Sequence, residues 1–269
     1  MSIAGLRAAT ELAATTSTIL DRLEPADWAA DSACRGWRVQ DLVGHLGLFF
    51  NFIADPELVF PDNPSGTSER LNDAAVVERA DWSTAQVHDY YLAQSAAGLA
   101  TLEALQSPEL RDQPIEMLDL GTYRLSQLAD AVAFDHLVHL QSDLLAPHGP
   151  VTLAVDLPVA AAIDPAIDWM MAGLPPMCGS SIRAALTGPV GIHLTGATER
   201  AFQVSASADV ADGVAVDEVS VEDLPANTVH SDALAFTSWA TRRSAWRSAA
   251  QVHGDPAAVA AVLDALDIV

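Results

Sequence analysis

The feature that most constrains the fold is a stretch of about 150 residues in which apolar side chains recur at helical spacing and no segment alternates as a strand requires. Leu6, Leu12, Ile19 and Leu23 fall near one stripe of residues 3–23, padded by alanine. Pro25 ends that pattern, and residues 28–37 read as loop. A second helix is expected from about Val39 to Ile53, with Leu42, Val43, Leu46 and Phe50 on its apolar side. Residues 55–70 carry three prolines and Gly66 and read as loop. A third helix is expected over about 83–106, with Ser83 as its N-cap. Residues 107–123 read as loop, and a fourth helix runs from about Leu125 to Leu145. Four helices without strands imply a helical bundle for residues 1–150.

The pattern changes after Pro150. Residues 157–174 read as a helix ended by Pro175 and Pro176. Residues 189–195 alternate, and 201–205 and 227–230 are further strand candidates. Helices are expected over 232–241 and 256–266. Residues 151–269 are therefore expected to form a smaller α+β domain with an antiparallel sheet.

Charge narrows the function. The net charge is −23, and all 13 basic residues are arginine. Clustered cations of the kind that neutralise phosphate are missing, which excludes nucleic acid and anionic membrane as partners. Acidity of this size otherwise serves solubility. No apolar run is long enough to span a bilayer, and the first residues do not read as a secretory signal, so a cytoplasmic location is expected. Cys34 and Cys178 are too few and too far apart for a disulfide framework or a zinc knuckle, and Cys34 is expected to pack in the loop before the second helix.

The chemistry-bearing pattern lies on the second and fourth helices. Residues four apart share a helix face, so Asp135 and His139 present a carboxylate and an imidazole together. His45 on the second helix can supply a third ligand, and two histidines with one carboxylate leave a metal position open for catalysis. Asp41 has the same spacing from His45, but its place in the first helical turn favours a capping role. Asp143, one turn beyond His139, reads equally as a group orienting His139 or as a surface charge. His136 points away from that face and is expected to pack between helices. His193 is expected to face solvent from the polar side of a strand, and His88, His148, His230 and His253 read as surface residues.

Trp28, Cys34-Arg35-Gly36-Trp37 and Asp41-Leu42-Val43-Gly44-His45-Leu46 together resemble the N-terminal signature of the mycothiol-dependent maleylpyruvate isomerase family, which has a DinB-like four-helix metalloenzyme fold. Leu120-Gly121 and the block from Asp135 to Asp143 match further family features, and Trp239, Arg242, Arg243 and Gly254-Asp255 resemble its second domain. The sequence departs from the pattern at Asp135, where the family has glutamate, at Arg38, where it has serine or threonine, and at Thr241-Arg242, where it has glycine-arginine.

The resemblance implies a divalent metal, zinc foremost, held by His45, Asp135 and His139, and mycothiol as thiol cofactor or cosubstrate. It implies an enzyme acting on a small electrophile, by cis–trans isomerisation through thiolate addition or as a mycothiol S-transferase. Arg242 or Arg243 would hold a substrate carboxylate. A binding or regulatory protein with a degenerate metal site is the non-catalytic alternative, and a hydrolase using metal-bound water is another. The all-arginine, alanine-rich composition also suggests an actinobacterial source, and the oligomeric state is left open.

Overall fold

The computed structural model describes residues 3–269. The chain divides into two compact units after Ala166, inside a long helix.

The first unit is built on α1 (Ile3–Leu20), α3 (Val39–Ala54), α5 (Thr84–Ala104) and α6 (Leu128–Val138). Two shorter helices, α2 (Pro25–Ala29) and α4 (Ser68–Glu78), join them. α3 packs along α5, and α1 along α6. Leu12, Leu42, Leu46, Phe50, Tyr91, Leu102, Leu137 and Leu140 are fully buried and form the core. Two glycines set the α3–α5 spacing. A Cβ on Gly98 would lie 2.6 Å from Phe50 Cδ1, and one on Gly47 would lie 2.9 Å from the Tyr90 ring. Ser83 caps α5 as expected: its hydroxyl accepts from the Gln86 N–H, while the Gln86 side chain accepts from the Ser83 N–H.

Three expectations for this unit are corrected. α4 occupies residues read as loop or left unassigned. A short hairpin, β1 (Pro114–Glu116) with β2 (Thr122–Arg124), interrupts what was expected to be all-helical. The fourth helix is also not uniform: after α6 it widens into a π-helical segment over His139–Leu144. Rare π segments of this kind concentrate at functional sites, and this one begins at a candidate ligand.

The long helix α7 (Val159–Ala185) runs through Pro175 and Pro176, which were expected to stop it. Each proline removes an N–H donor and costs about 3 kcal/mol in a helix interior. Met171, Leu174, Cys178 and Ile182 form a buried stripe at helical spacing across the prolines, and their burial offsets that cost.

The second unit carries a five-stranded sheet ordered β5-β4-β3-β6-β7, from β3 (Val190–Thr195), β4 (Arg200–Ala206), β5 (Val214–Glu218), β6 (Thr228–Asp232) and β7 (Ala250–His253). Three of its pairings are antiparallel, but β3 and β6 run parallel, so the sheet is mixed. β5 runs in the direction of β3, so the connection over 219–227 crosses back along the sheet before β6 enters parallel to β3. Helices α8 (Ala233–Trp239), α9 (Trp246–Ala249) and α10 (Pro256–Leu263) complete the unit. His193 is buried rather than solvent-facing, because β3 is covered on both faces.

Candidate metal centre

α3 and α6 bring three sequence-distant side chains together. His45 Nε2 lies 3.2 Å from Asp135 Oδ1, and His139 Nε2 lies 3.5 Å from the same oxygen. The two imidazole rings are 5.1 Å apart, and one ligand atom from each of the three residues falls within 4.8 Å of the others. Only 11–13 % of each side chain is exposed.

The surroundings orient these groups. His139 Nδ1 lies 2.8 Å from Asp143 Oδ2, which fixes the Nδ1–H tautomer and directs Nε2 toward Asp135. The π turn places Asp143, and the Asp143 carbonyl accepts the Ala33 N–H, tying the loop before α3 to this segment. The Trp37 ring tilts against His45, with centroids 5.2 Å apart. Asp41 is engaged elsewhere, as its capping role requires. It accepts the Arg38 backbone N–H at 2.9 Å and pairs with the Arg38 guanidinium through both oxygens. His136 is fully buried: its Nδ1–H donates to the Val132 carbonyl and its Nε2 accepts from the Tyr91 hydroxyl. With both ring nitrogens engaged it is a core residue rather than a ligand.

Electrostatics shows what the site can accept. Burial pushes the Asp135 carboxyl up, but the two facing histidines outweigh it and hold the group well below the usual carboxylate range. Burial pushes His139 down, but Asp135, then Asp143 and Cys34, raise it well above its ordinary value. Two imidazole nitrogens directed at one carboxylate oxygen either each present an N–H to it or share a bound cation with it. Asp135 Oδ2 and His45 Nδ1 are buried with no hydrogen-bond partner among the described residues. A divalent ion fits this donor set: two imidazoles, a carboxylate and an outer carboxylate bracing one imidazole.

Sequence reasoning missed two features here. Cys34 Sγ lies 3.7 Å from His139 Nδ1, so this cysteine borders the centre instead of merely filling its loop. Its neighbour in space is 105 residues away in sequence, and no spacing rule signals that. The second feature is a small recess beside His45, with room for about one water molecule, where Gly44, Leu48, Ala75, Val76, Arg79 and Val87 form the wall. Much of that wall comes from α4, whose polar residues carry no helical stripe. Arg242, the candidate substrate cation, sits in the second unit with backbone φ of 58°. Its Nε donates to the Leu266 carbonyl at 3.0 Å and pairs with Asp267 at 3.3 Å.

The profile of the mycothiol maleylpyruvate isomerase N-terminal domain matches residues 9–143, half of the chain. Among solved structures, the chain resembles a crystal structure of the mycothiol-dependent maleylpyruvate isomerase, with a TM-score of 0.55 at 11 % identity over 94 % of this chain and 93 % of that one. A histidine-to-alanine mutant of that isomerase matches over the same shares with a TM-score of 0.55 at 10 % identity. At such identities the likeness is one of fold. A search of curated proteins finds no match. Among the described residues no helix is long and apolar enough to cross a membrane.

Proposed function

The chain belongs to the mycothiol maleylpyruvate isomerase N-terminal domain family, and on that premise we propose that it is a metal-dependent enzyme using mycothiol in the cis–trans isomerisation of a small unsaturated acid. The carrying observation is the convergence of His45, Asp135 and His139, whose ligand atoms lie within 4.8 Å of one another. These three residues would hold the metal, and zinc suits the donor set best. Once bound, the ion would lower the pKa of a coordinated thiol so that mycothiol's sulfur is presented as a nucleophile at neutral pH.

The chain's own groups do the rest. Asp143 accepts the His139 Nδ1–H, so with a metal bound the ring would offer the Nε2 lone pair to it. Trp37 and the helices around His45 wall the centre and limit water. Beside Gly44 a Cβ would meet no atom within 4 Å, and the recess there has room for about one water molecule next to His45. Arg242, whose Nε is engaged by Leu266 and Asp267, is the candidate that the sequence offers for a substrate carboxylate.

Transfer of mycothiol onto an electrophile is the second reading. It is favoured by the engagement of Arg242 Nε with Leu266 and Asp267, and by the net charge of −23, which repels anions. Purified protein assayed with and without mycothiol, against maleylpyruvate and a panel of neutral electrophiles, separates the two. Turnover of maleylpyruvate only with thiol is the expected result. Consumption of thiol with an electrophile would establish the transferase, and activity independent of thiol would sink both.

A further inference from the structure

The second unit holds another group of histidines, which the family reading does not use. β3 and β6 pair in parallel with His193 directly beside His230. β6 and β7 pair antiparallel with Thr228 opposite His253 and His230 opposite Gln251. Directly paired residues share a face of a sheet, as do residues two apart in one strand. His193, His230 and His253 therefore lie on one face, in a row across three adjacent strands. Their rings touch: His193 and His230 are 4.7 Å apart between centroids, and His230 and His253 are 4.3 Å apart.

The row is graded in exposure. His193 is 9 % exposed, His230 is half-buried and His253 is exposed on the edge strand. Both ring nitrogens of His193 are buried with no hydrogen-bond partner among the described residues. Buried polar atoms left unpaired forfeit their hydration without compensation, and the residues flanking His193 in sequence supply no partner. Glu199 Oε1 stands 3.6 Å from His193 Nε2, too far for a hydrogen bond but close enough to share a ligand with it.

We propose that His193, His230 and His253, with Glu199, form a second metal site for a borderline transition ion such as Zn²⁺, Ni²⁺ or Cu²⁺. Imidazole donors suit these ions, whereas hard ions such as Mg²⁺ prefer oxygen. The rings meet edge-on in one contact and tilted in the other, rather than turned onto one point. Two nitrogens on one ion, bonded at about 2.0–2.1 Å, stand about 3 Å apart. As they stand, no three of these four residues bring donor atoms within 4.8 Å of one another, so binding has to turn the rings about χ2, whose energy well is broad for histidine. The ion fills the coordination that His193 lacks, and the open edge at His253 provides its entry.

The test is a titration of chelator-stripped, full-length protein with Cu²⁺, followed by equilibrium stoichiometry and by the nitrogen hyperfine structure of the bound ion. Two ions per chain are expected. His230→Gln should remove one of them and leave a chain that binds a single ion, and His45→Ala should remove the other. His253→Ala alters an exposed side chain, so it serves where His230→Gln fails to fold; it should weaken one of the two ions at least about tenfold, with circular dichroism unchanged. Binding of one ion only, lost in His45→Ala, would overturn the proposal. So would two ions that survive both His230→Gln and His253→Ala undiminished.

Discussion

The two histidine clusters of this molecule are assembled by opposite means. In the helical unit, His139 is gripped by Asp143 at 2.8 Å, and both His45 and His139 face the buried carboxylate of Asp135. In the sheet unit, strand register alone aligns His193, His230 and His253, and the nearest carboxylate is the exposed Glu199. The helical cluster is electrostatically braced before any ligand arrives. The sheet cluster is held by ring contact and leaves its innermost imidazole unpaired. The difference teaches that bracing by carboxylates, more than the proximity of histidines, marks a site built for tight metal binding and chemistry.

Removal of a braced ligand has the largest expected effect. His139→Ala or His45→Ala should reduce metal content at the helical site to background and abolish thiol-dependent turnover, measured by metal analysis and the maleylpyruvate assay. Retention of a full complement of metal at that site by both variants would erase the contrast between the clusters.

Next in size is a pH effect on stability. Burial, opposed by Asp135, pushes His136 down to about 4. The unfolded chain takes up this proton near pH 6.5, while the folded chain refuses it until about pH 4. Stability therefore falls as pH drops through that window, by about 3 kcal/mol. His139 acts with the opposite sign in the metal-free protein. Its raised pKa contributes stability that is complete below about pH 6.5 and is lost as pH rises through the folded value. Denaturant unfolding of the stripped protein should give a maximum near neutrality. Added metal should remove the alkaline decline, since the ion replaces the proton. His136→Gln should flatten the acid side whatever its effect on overall stability. A stripped protein whose stability does not vary between about pH 4 and 6.5 would contradict the buried, neutral His136.

Particular residues explain what was legible before the fold was known. The bundle was readable from Leu42, Leu46 and Phe50 and their counterparts, because one buried stripe per helix leaves a periodic trace. The grouping of His45, Asp135 and His139 was readable from helix-face spacing and from the family signature, since each residue lies within a regular helix or at its end. α4 was not readable, because only Ala75 in it is buried and no stripe exists. The hairpin strands span three residues each, too short for alternation to register. β5 and β7 lie at the sheet edges and are largely exposed, so their pattern is weak as well. Continuation of α7 through two prolines needed tertiary burial to decide it. The approach of Cys34 to His139 depends on a loop folding back onto the π turn, a long-range event with no local signal.

Bracing itself can be tested at Asp143. Asp143→Asn keeps the shape but drops the charge, and an amide can direct its NH₂ at His139 and select the wrong tautomer. Outer-carboxylate changes of this kind typically cost about 10–100-fold in metal affinity. That loss is expected in a zinc titration, with the bundle intact by circular dichroism. If Asp143→Asn binds zinc as the parent does, the helical cluster is no better braced than the sheet cluster, and the comparison fails.

The smallest effect is expected at Asp135, where the sequence departs from the family's glutamate. Asp135 Oδ1 already stands between the two Nε2 atoms, at 3.2 and 3.5 Å, so aspartate reaches the centre from this backbone position. Glutamate would carry its carboxylate one methylene too far. α6 cannot retreat to compensate, because Val132, Leu137 and Val138 are at most 1 % exposed and packed at the density of a protein interior. The longer chain must instead fold back on itself, at an overpacking cost of about 1–3 kcal/mol in stability. The carboxylate and its charge stay in the site, so zinc affinity in Asp135→Glu should fall by less than about tenfold, well short of the loss in His45→Ala. Zinc titration beside thermal unfolding reads the two quantities separately. Asp135→Ala removes the carboxylate and should lose zinc as His45→Ala does; parent-like affinity in Asp135→Ala, with binding abolished in His45→Ala, would show that Asp135 is not a ligand. The carboxylate at the centre would then act as Asp143 does, by orienting imidazoles.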